Sequence, residues 1–346
     1  MIGHYVHHHG SGHLHRARTL APHLPGPVTG LSSLPRPDGW QGPWVQLPRD
    51  DSAPSYAGAD TTAGGLLHWV PRGDRGLRDR MAVVAAWIRE HEPAALVVDQ
   101  SVEVGLLARL HGVPVVAFTA PGRRTDPPHL LGFGAAEAVV GAWPQGWTPR
   151  LLPGDPVPAD RVHAVGAVSR LPVASGTAPR PAAGRRRHAV LLAGTGGDGF
   201  TPASVALAQD QTPDWEWTVL SRTLGTWHPD PAAVIASADV VVLHPGQNAL
   251  AEVAALRRPA VVVPAPRPFD EQHVTAAALS GGWPAVVAEP VPERGWAGVL
   301  DEAARLDGRE WARWCDGGAG ARGHAARSRP TTDATTSATR WGAPPS

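Results

Sequence analysis

Residues 226–279 read TWHPDPAAVIASADVVVLHPGQNALAEVAALRRPAVVVPAPRPFDEQHVTAAAL. Within them, Asp239 to Leu243 is a short Val-rich run with the composition of a buried strand. His244, Pro245 and Gly246 turn the chain, and a helix starts at Gln247 with Asn248 near its cap. A second buried strand follows, ending at Pro264. Strand, tight turn, helix and strand make a β-α-β unit, and such crossovers are nearly always parallel and right-handed.

The same alternation extends in both directions. Upstream, strands are expected at Ile2 to His8, Val28 to Ser32, Trp44 to Leu47, Ala95 to Asp99, Val113 to Thr119 and Ala138 to Ala142. Gly76 to Glu92 puts Leu77, Met81, Val84, Ala85 and Ile88 on one face of a helix, and Val102 to Leu110 makes another. Residues 169–187 (SRLPVASGTAPRPAAGRRR) break the pattern and read as an interdomain linker. Further strands are expected at His188 to Ala193, Trp215 to Leu220 and Ala285 to Ala288. The expected class is α/β, with two Rossmann-like domains facing across a cleft: residues 1–168, then the linker, then 188–316, with a flexible tail at 317–346. In open parallel sheets ligands sit at the strands' carboxyl ends, so the cleft is where chemistry is sought.

Composition excludes several classes. The 346 residues carry 31 Lys+Arg against 31 Asp+Glu, a formal net charge of zero, which gives no electrostatic reason for a nucleic-acid partner. Cys315 is the single cysteine, so an internal disulfide framework and a Cys-rich zinc site are ruled out. No apolar run is long enough to span a membrane. With no basic leader or apolar signal region after Met1, a cytoplasmic protein is expected.

Four motifs bear on chemistry. In HHHGSGHLHRARTLA, Gly10 and Gly12 allow a sharp turn, and His13 stands at the entrance of the following helix, where an imidazole can take a hydroxyl proton near neutral pH. His13 capping its own helix is the other reading. His7, His8 and His9 suggest a metal, but alternate strand residues point to opposite faces and no third-ligand spacing follows, so no metal is assigned. Asp99 ends the strand ALVVD at the cleft edge, where it orients His13, meets an acceptor, or caps the next helix at Val102. In HAVLLAGTGGDGF, Gly194, Thr195, Gly196 and Gly197 can present amides to a phosphate, although neither the Walker nor the dinucleotide spacing is present.

The fourth motif is the 226–279 segment. An imidazole at a helix start with free amides, here His244 with Gly246, Gln247 and Asn248, suits a diphosphate. Glu252, on the second helical turn, suits a ribose diol, and Glu271 with Gln272 suits vicinal sugar hydroxyls.

These residues resemble the donor-binding region of GT-B-fold glycosyltransferases, both the UDP-dependent small-molecule transferases and the peptidoglycan N-acetylglucosaminyltransferases, of the family 28 C-terminal type. Their box, W…H-x-G-x-N-x3-E…[DE]-Q, is matched by Trp227, His244, Gly246, Asn248, Glu252, Glu271 and Gln272. The resemblance spans roughly residues 1 to 315 and is concentrated in 226 to 279. It implies that Trp227 flanks the base, that His244 and the amides of residues 246–248 hold the diphosphate, that Glu252 holds the ribose, that Glu271 and Gln272 hold the sugar, and that His13 is the general base. Two departures stand out. Ala249 replaces the usual Ser after the box Asn, and the interval from Pro264 to Gln272 is longer than the common spacing.

The expected activity is transfer of a sugar from a nucleotide-diphosphate sugar, UDP-sugar foremost, to an acceptor hydroxyl, with inversion and without a metal or other cofactor. No Asp-x-Asp motif is evident, since Asp50 and Asp51 are adjacent. The rival readings are a nucleotide-sugar hydrolase or epimerase, because GSGHLHRARTLA is also similar to the start of the sugar-nucleotide hydrolases of pseudaminic acid synthesis, and an inactive nucleotide-sugar-binding protein. The acceptor loops are expected around Arg36 to Asp60 and Arg123 to Leu131, with peripheral membrane contact left open.

Overall fold

Val-rich runs with both faces apolar suit strands of parallel sheets covered by helices on both sides, and the chain builds two such sheets. The computed structural model describes residues 1–51, 59–174, 185–193, 199–225, 228 and 230–325. The first sheet comprises β1 (Ile2–Val6), β2 (Val28–Ser32), β3 (Trp44–Gln46), β4 (Ala95–Asp99), β5 (Val115–Thr119), β6 (Ala138–Gly141) and β7 (Val162–Ala164). Its seven strands run parallel in the order β3-β2-β1-β4-β5-β6-β7. The second comprises β8 (Arg187–Leu192), β9 (Trp215–Leu220), β10 (Val240–Leu243), β11 (Ala260–Val262) and β12 (Ala285–Val287). Its five parallel strands follow the order β12-β11-β10-β8-β9. The strand order reverses between β1 and β4 in the first sheet and between β8 and β10 in the second. At such switch points the flanking loops part and leave a crevice.

The helices are α1 (Gly12–Leu20), α2 (Arg75–His91), α3 (Val102–Leu110), α4 (Pro127–Ala135), α5 (Thr148–Leu151), α6 (Pro202–Asp210), α7 (Pro231–Ser237), α8 (Gln247–Ala255), α9 (Glu271–Leu279), α10 (Trp296–Ala304) and α11 (Ala319–Ala325). Side chains fix several of their starts: Asp74 caps α2 through the Leu77 amide, Ser101 caps α3 through the Val104 amide, and Thr201 and Ser204 form a reciprocal box on α6. The apolar core is continuous between the two halves, where Trp147 meets Trp283 edge-on at 5.0 Å.

Three expectations change. The first strand stops at Val6, because residues 7–11 turn into α1, so His7, His8 and His9 do not alternate across a sheet. Their rings gather instead, with centroids 5.0 Å (His7 to His8), 5.1 Å (His7 to His9) and 4.3 Å (His8 to His9) apart. The strand β7 and the helix α4 carry no clear periodic signal, and both form. After Gly317, where a flexible tail is expected, α11 folds back on the first sheet's side. There Arg322 Nε donates to the Val165 carbonyl at 2.9 Å.

Candidate active site

Two helix starts meet at the cleft. The helix α1 follows β1 and α8 follows β10, and neither has a side-chain cap, so their first-turn amides have no partner from a capping residue. The approach is so close that a methyl on Gly12 would strike the Asn248 amide. Glycine at this position lets the helices abut.

Beside Gly12, His13 Nδ1 lies 3.0 Å from Oδ1 of the fully buried Asp99. The register pairs Asp99 with Val6 across β4 and β1, which sets the carboxylate at the switch point. One helical turn after His13, the buried Arg16 donates from Nη1 to the same Oδ1 at 3.3 Å and from Nη2 to Gln247 Oε1 at 2.9 Å. Its guanidinium also lies 4.7 Å from the Phe118 ring centroid. Burial alone would raise the Asp99 carboxyl, but the charges of Arg16 and His13 outweigh it and hold the group below the ordinary carboxylate range.

On the other wall, His244 Nδ1 is 2.6 Å from the Val263 carbonyl, a contact that fixes the tautomer with the proton on Nδ1. Phe200 stacks on the ring at 4.3 Å, and a methyl on Gly199 would meet Nε2 at 2.7 Å. Burial lowers the imidazole's affinity for a second proton, against the Val263 bond that favours it, and Arg267 lowers it further. The neutral ring, with its proton on Nδ1, carries its lone pair on Nε2.

Glu252 is buried, and its Oε1 accepts from Arg170 Nε on the interdomain segment at 2.6 Å. Gln272 is also buried, with Oε1 accepting from the Ala265 amide at 2.8 Å, so its NH2 is the part left to offer. Glu271 opens α9 and lies 3.8 Å from Arg124 of the first half. The turn before it is held across the cleft: the Arg123 amide donates to Phe269 O at 2.7 Å, and Arg123 Nε is 3.3 Å from Asp270. Phe269 packs between His129 at 4.7 Å and Arg124 at 5.0 Å. Phe269 and Asp270 both have left-handed backbone, φ 62° and 54°.

Among the buried side-chain atoms without a hydrogen-bond partner are Asp99 Oδ2, His244 Nε2 and Gln247 Nε2. All three lie at the carboxyl end of a strand or the start of the helix that follows it, at β4, β10 and α8. Trp227, Gly194, Thr195, Gly196 and Gly197 lie outside the described residues.

On the first half's side, a cavity of about 260 Å3 is lined by His7, Trp69, Gln100 and Glu103 among others, with the His7 ring 5.6 Å from that of His13. Trp40 is buried and packs against Trp44 at 5.1 Å. The nitrogens of His8 and His9 point to Asp51 at 3.2 and 2.9 Å. That carboxylate also takes Arg49 at 2.9 and 2.6 Å, and Arg80 reaches His8 Nδ1 at 3.4 Å. Asp126 similarly joins His68 and His129 at 3.0 and 2.6 Å, with Arg124 2.9 Å from His129 Nε2. An arginine donating to one imidazole nitrogen leaves the proton on the other, so His8 and His129 are each held between an arginine and an aspartate. The sequence reading missed Arg16, Arg170 and the Phe269 turn. Only Arg16 carries a signal, its i+3 spacing from His13.

The profile of the glycosyltransferase family 28 C-terminal domain matches residues 196–281. No curated protein sequence matches the chain. Among solved structures, the glycotransferase of kitacinnamycin is similar at 19% identity and TM-score 0.63, over 94% of this chain and 95% of its own. MurG of Acinetobacter baumannii is similar at 16% identity and TM-score 0.60, over 94% and 97%. The spinosyn rhamnosyltransferase SpnG, in complex with thymidine diphosphate, is similar at 18% identity and TM-score 0.60, over 90% and 94%. With two parallel sheets flanking one cleft, the chain has the GT-B fold, and its residues 196–281 match the glycosyltransferase family 28 C-terminal domain.

Proposed function

We propose that the protein transfers a sugar from a nucleotide-diphosphate sugar, UDP-sugar foremost, to an acceptor hydroxyl with inversion at the anomeric carbon. The observation that carries this reading is the meeting of the uncapped starts of α1 and α8, where Gly12 abuts Asn248 and Arg16 joins Asp99, the neighbour of His13, to Gln247.

Asp99 beside Nδ1 favours the His13 tautomer with its proton on that nitrogen, which leaves Nε2 basic. In this reading the acceptor O–H gives its proton to Nε2 as the oxygen bonds to the anomeric carbon. The bond from that carbon to the diphosphate oxygen breaks, and its electron pair leaves with the nucleotide. The amides at the start of α8, protonated His244 and the Gln247 NH2 take up the developing charge. Glu252 serves the ribose, Glu271 and the Gln272 NH2 serve the sugar, and Trp227 and residues 194–197 complete the nucleotide side. The SpnG complex with thymidine diphosphate makes dTDP the second nucleotide to test.

The test is turnover of UDP- and dTDP-sugars with a panel of hydroxylated acceptors, following nucleotide release and the anomeric configuration of the product. His13→Ala is expected to lower kcat by about 10²–10⁴-fold, the usual range for a general base. Free sugar released at a competent rate without acceptor would assign a hydrolase instead, and loss of turnover on adding a chelator would overturn the metal-free account.

A further inference from the structure

Arg16 belongs to neither half-site alone. Its Nη1 donates to Asp99 Oδ1 at 3.3 Å, and its Nη2 donates to Gln247 Oε1 at 2.9 Å. The first contact is to the carboxylate beside His13 and the second to the opening residue of α8. Arg16 is 5% exposed, and the Phe118 ring fixes the plane of its guanidinium from one side.

A guanidinium has only donors, and an amide side chain has one acceptor end and one donor end. Gln247 must therefore turn its oxygen to Arg16, and its NH2 points the other way. That nitrogen is buried and has no partner. Without Arg16 the amide is free to flip and present its oxygen, which repels a phosphate. The shared Asp99 oxygen links the other end of Arg16 to the carboxylate that orients His13.

We propose that Arg16 is a positioning residue that spans the cleft, setting the Gln247 amide as a hydrogen-bond donor to the diphosphate while it holds Asp99 in place beside His13. This rests on the reading of the α8 start as the diphosphate site. Arg16 has two separable effects: through Gln247 it acts on nucleotide affinity, and through Asp99 it acts on turnover.

The test is calorimetric titration of Arg16→Met, Gln247→Ala and the double variant with the tightest of UDP, dTDP and GDP, together with kcat for each. Arg16→Met is expected to weaken nucleotide binding about tenfold, as loss of a hydrogen bond to a charged group does. Gln247→Ala is expected to weaken it by a similar factor, and the double variant to bind no worse than Gln247→Ala. The kcat loss of Arg16→Met should persist in the Gln247→Ala background. Such a split, with one effect abolished and the other kept, is not produced by a merely structural role. Wild-type affinity in Arg16→Met, or additive losses in the double variant, would overturn the proposal.

Should Arg16→Met not fold, Arg16→Lys decides, because a single ammonium does not span Asp99 and Gln247 together. The same split supports the proposal, while wild-type behaviour, or a chain that again fails to fold, overturns it. A wild type that binds none of the nucleotides refutes the donor-site reading beneath, whereas a wild type that binds no better than its Arg16 variants refutes this inference alone.

Discussion

At the scale of single residues, His244 has a measurable consequence. Its Nδ1 proton is committed to Val263 at 2.6 Å, so Nε2 can donate to a phosphate only after taking up a proton. Burial and Arg267 depress the free-state affinity for that proton, whereas a bound diphosphate raises it. Between the two values binding takes up a proton, and affinity falls as the pH rises through the value of the complex. An intact nucleotide sugar, which has no titrating terminal phosphate, is expected to bind with a heat that depends on the buffer's ionisation enthalpy. His244→Gln should lose that dependence and bind about tenfold more weakly. A buffer-independent heat in the wild type would remove His244 from the diphosphate site. Gln272 offers a second test, because its oxygen is pinned by the Ala265 amide at 2.8 Å. Gln272→Glu keeps that bond and loses the NH2, so kcat/KM for the nucleotide sugar is expected to drop about tenfold while the free nucleotide binds as before. Equal loss for both would move Gln272 from the sugar to the nucleotide.

At the scale of elements, what could be read in the sequence follows the range of the forces involved. The bounds of β2, β4, β9 and α3 are read to the residue, because each is a run of one periodicity ended by a local signal such as Ser101 at the start of α3. The helix α4 escapes because PPHLLGFGA opens with two prolines and contains two glycines, which weaken any helical signal. Its place is set by α3, on which it packs, and by the Arg124, Asp126 and His129 network at its start. The same limit applies at the cleft. Residues of the 244–252 box share one β-α unit, so their spacing is visible, but the partners of Glu252 and Gln247 are Arg170 and Arg16, separated from them by 82 and 231 positions. No pattern in one sequence links them.

At the scale of the whole molecule, the Phe269 turn clasps the two halves. Gly122 has φ 125°, and a methyl there would meet Phe269 O at 2.5 Å. Gly122→Ala is expected to push the clasp apart, widening the cleft in solution scattering and lowering kcat/KM about tenfold or more, as misplacement of reacting groups does. An unchanged scattering profile and rate would show that the clasp does not set the cleft. Acid should weaken the fold earlier than carboxylate titration alone requires. Burial lowers His7 to about 3, His15 to about 4 and His129 to about 4, with neighbouring imidazoles or arginines adding to each shift. Below 6.5 the unfolded chain binds protons there that the folded chain refuses, so their contribution is complete above 6.5 and is lost as the pH falls toward 4. The Tm is expected to fall steadily from pH 6.5 to 5, and a flat or rising Tm over that window would contradict these burials. The most direct test of the central claim, that the second half holds a nucleotide-sugar donor for a base on the first, is calorimetric titration with UDP, dTDP and GDP. The account predicts tight binding of one nucleotide, lost in Glu252→Ala and kept in His13→Ala. A folded wild type that binds none of the three, or a Glu252→Ala variant that binds as the wild type does, would contradict it.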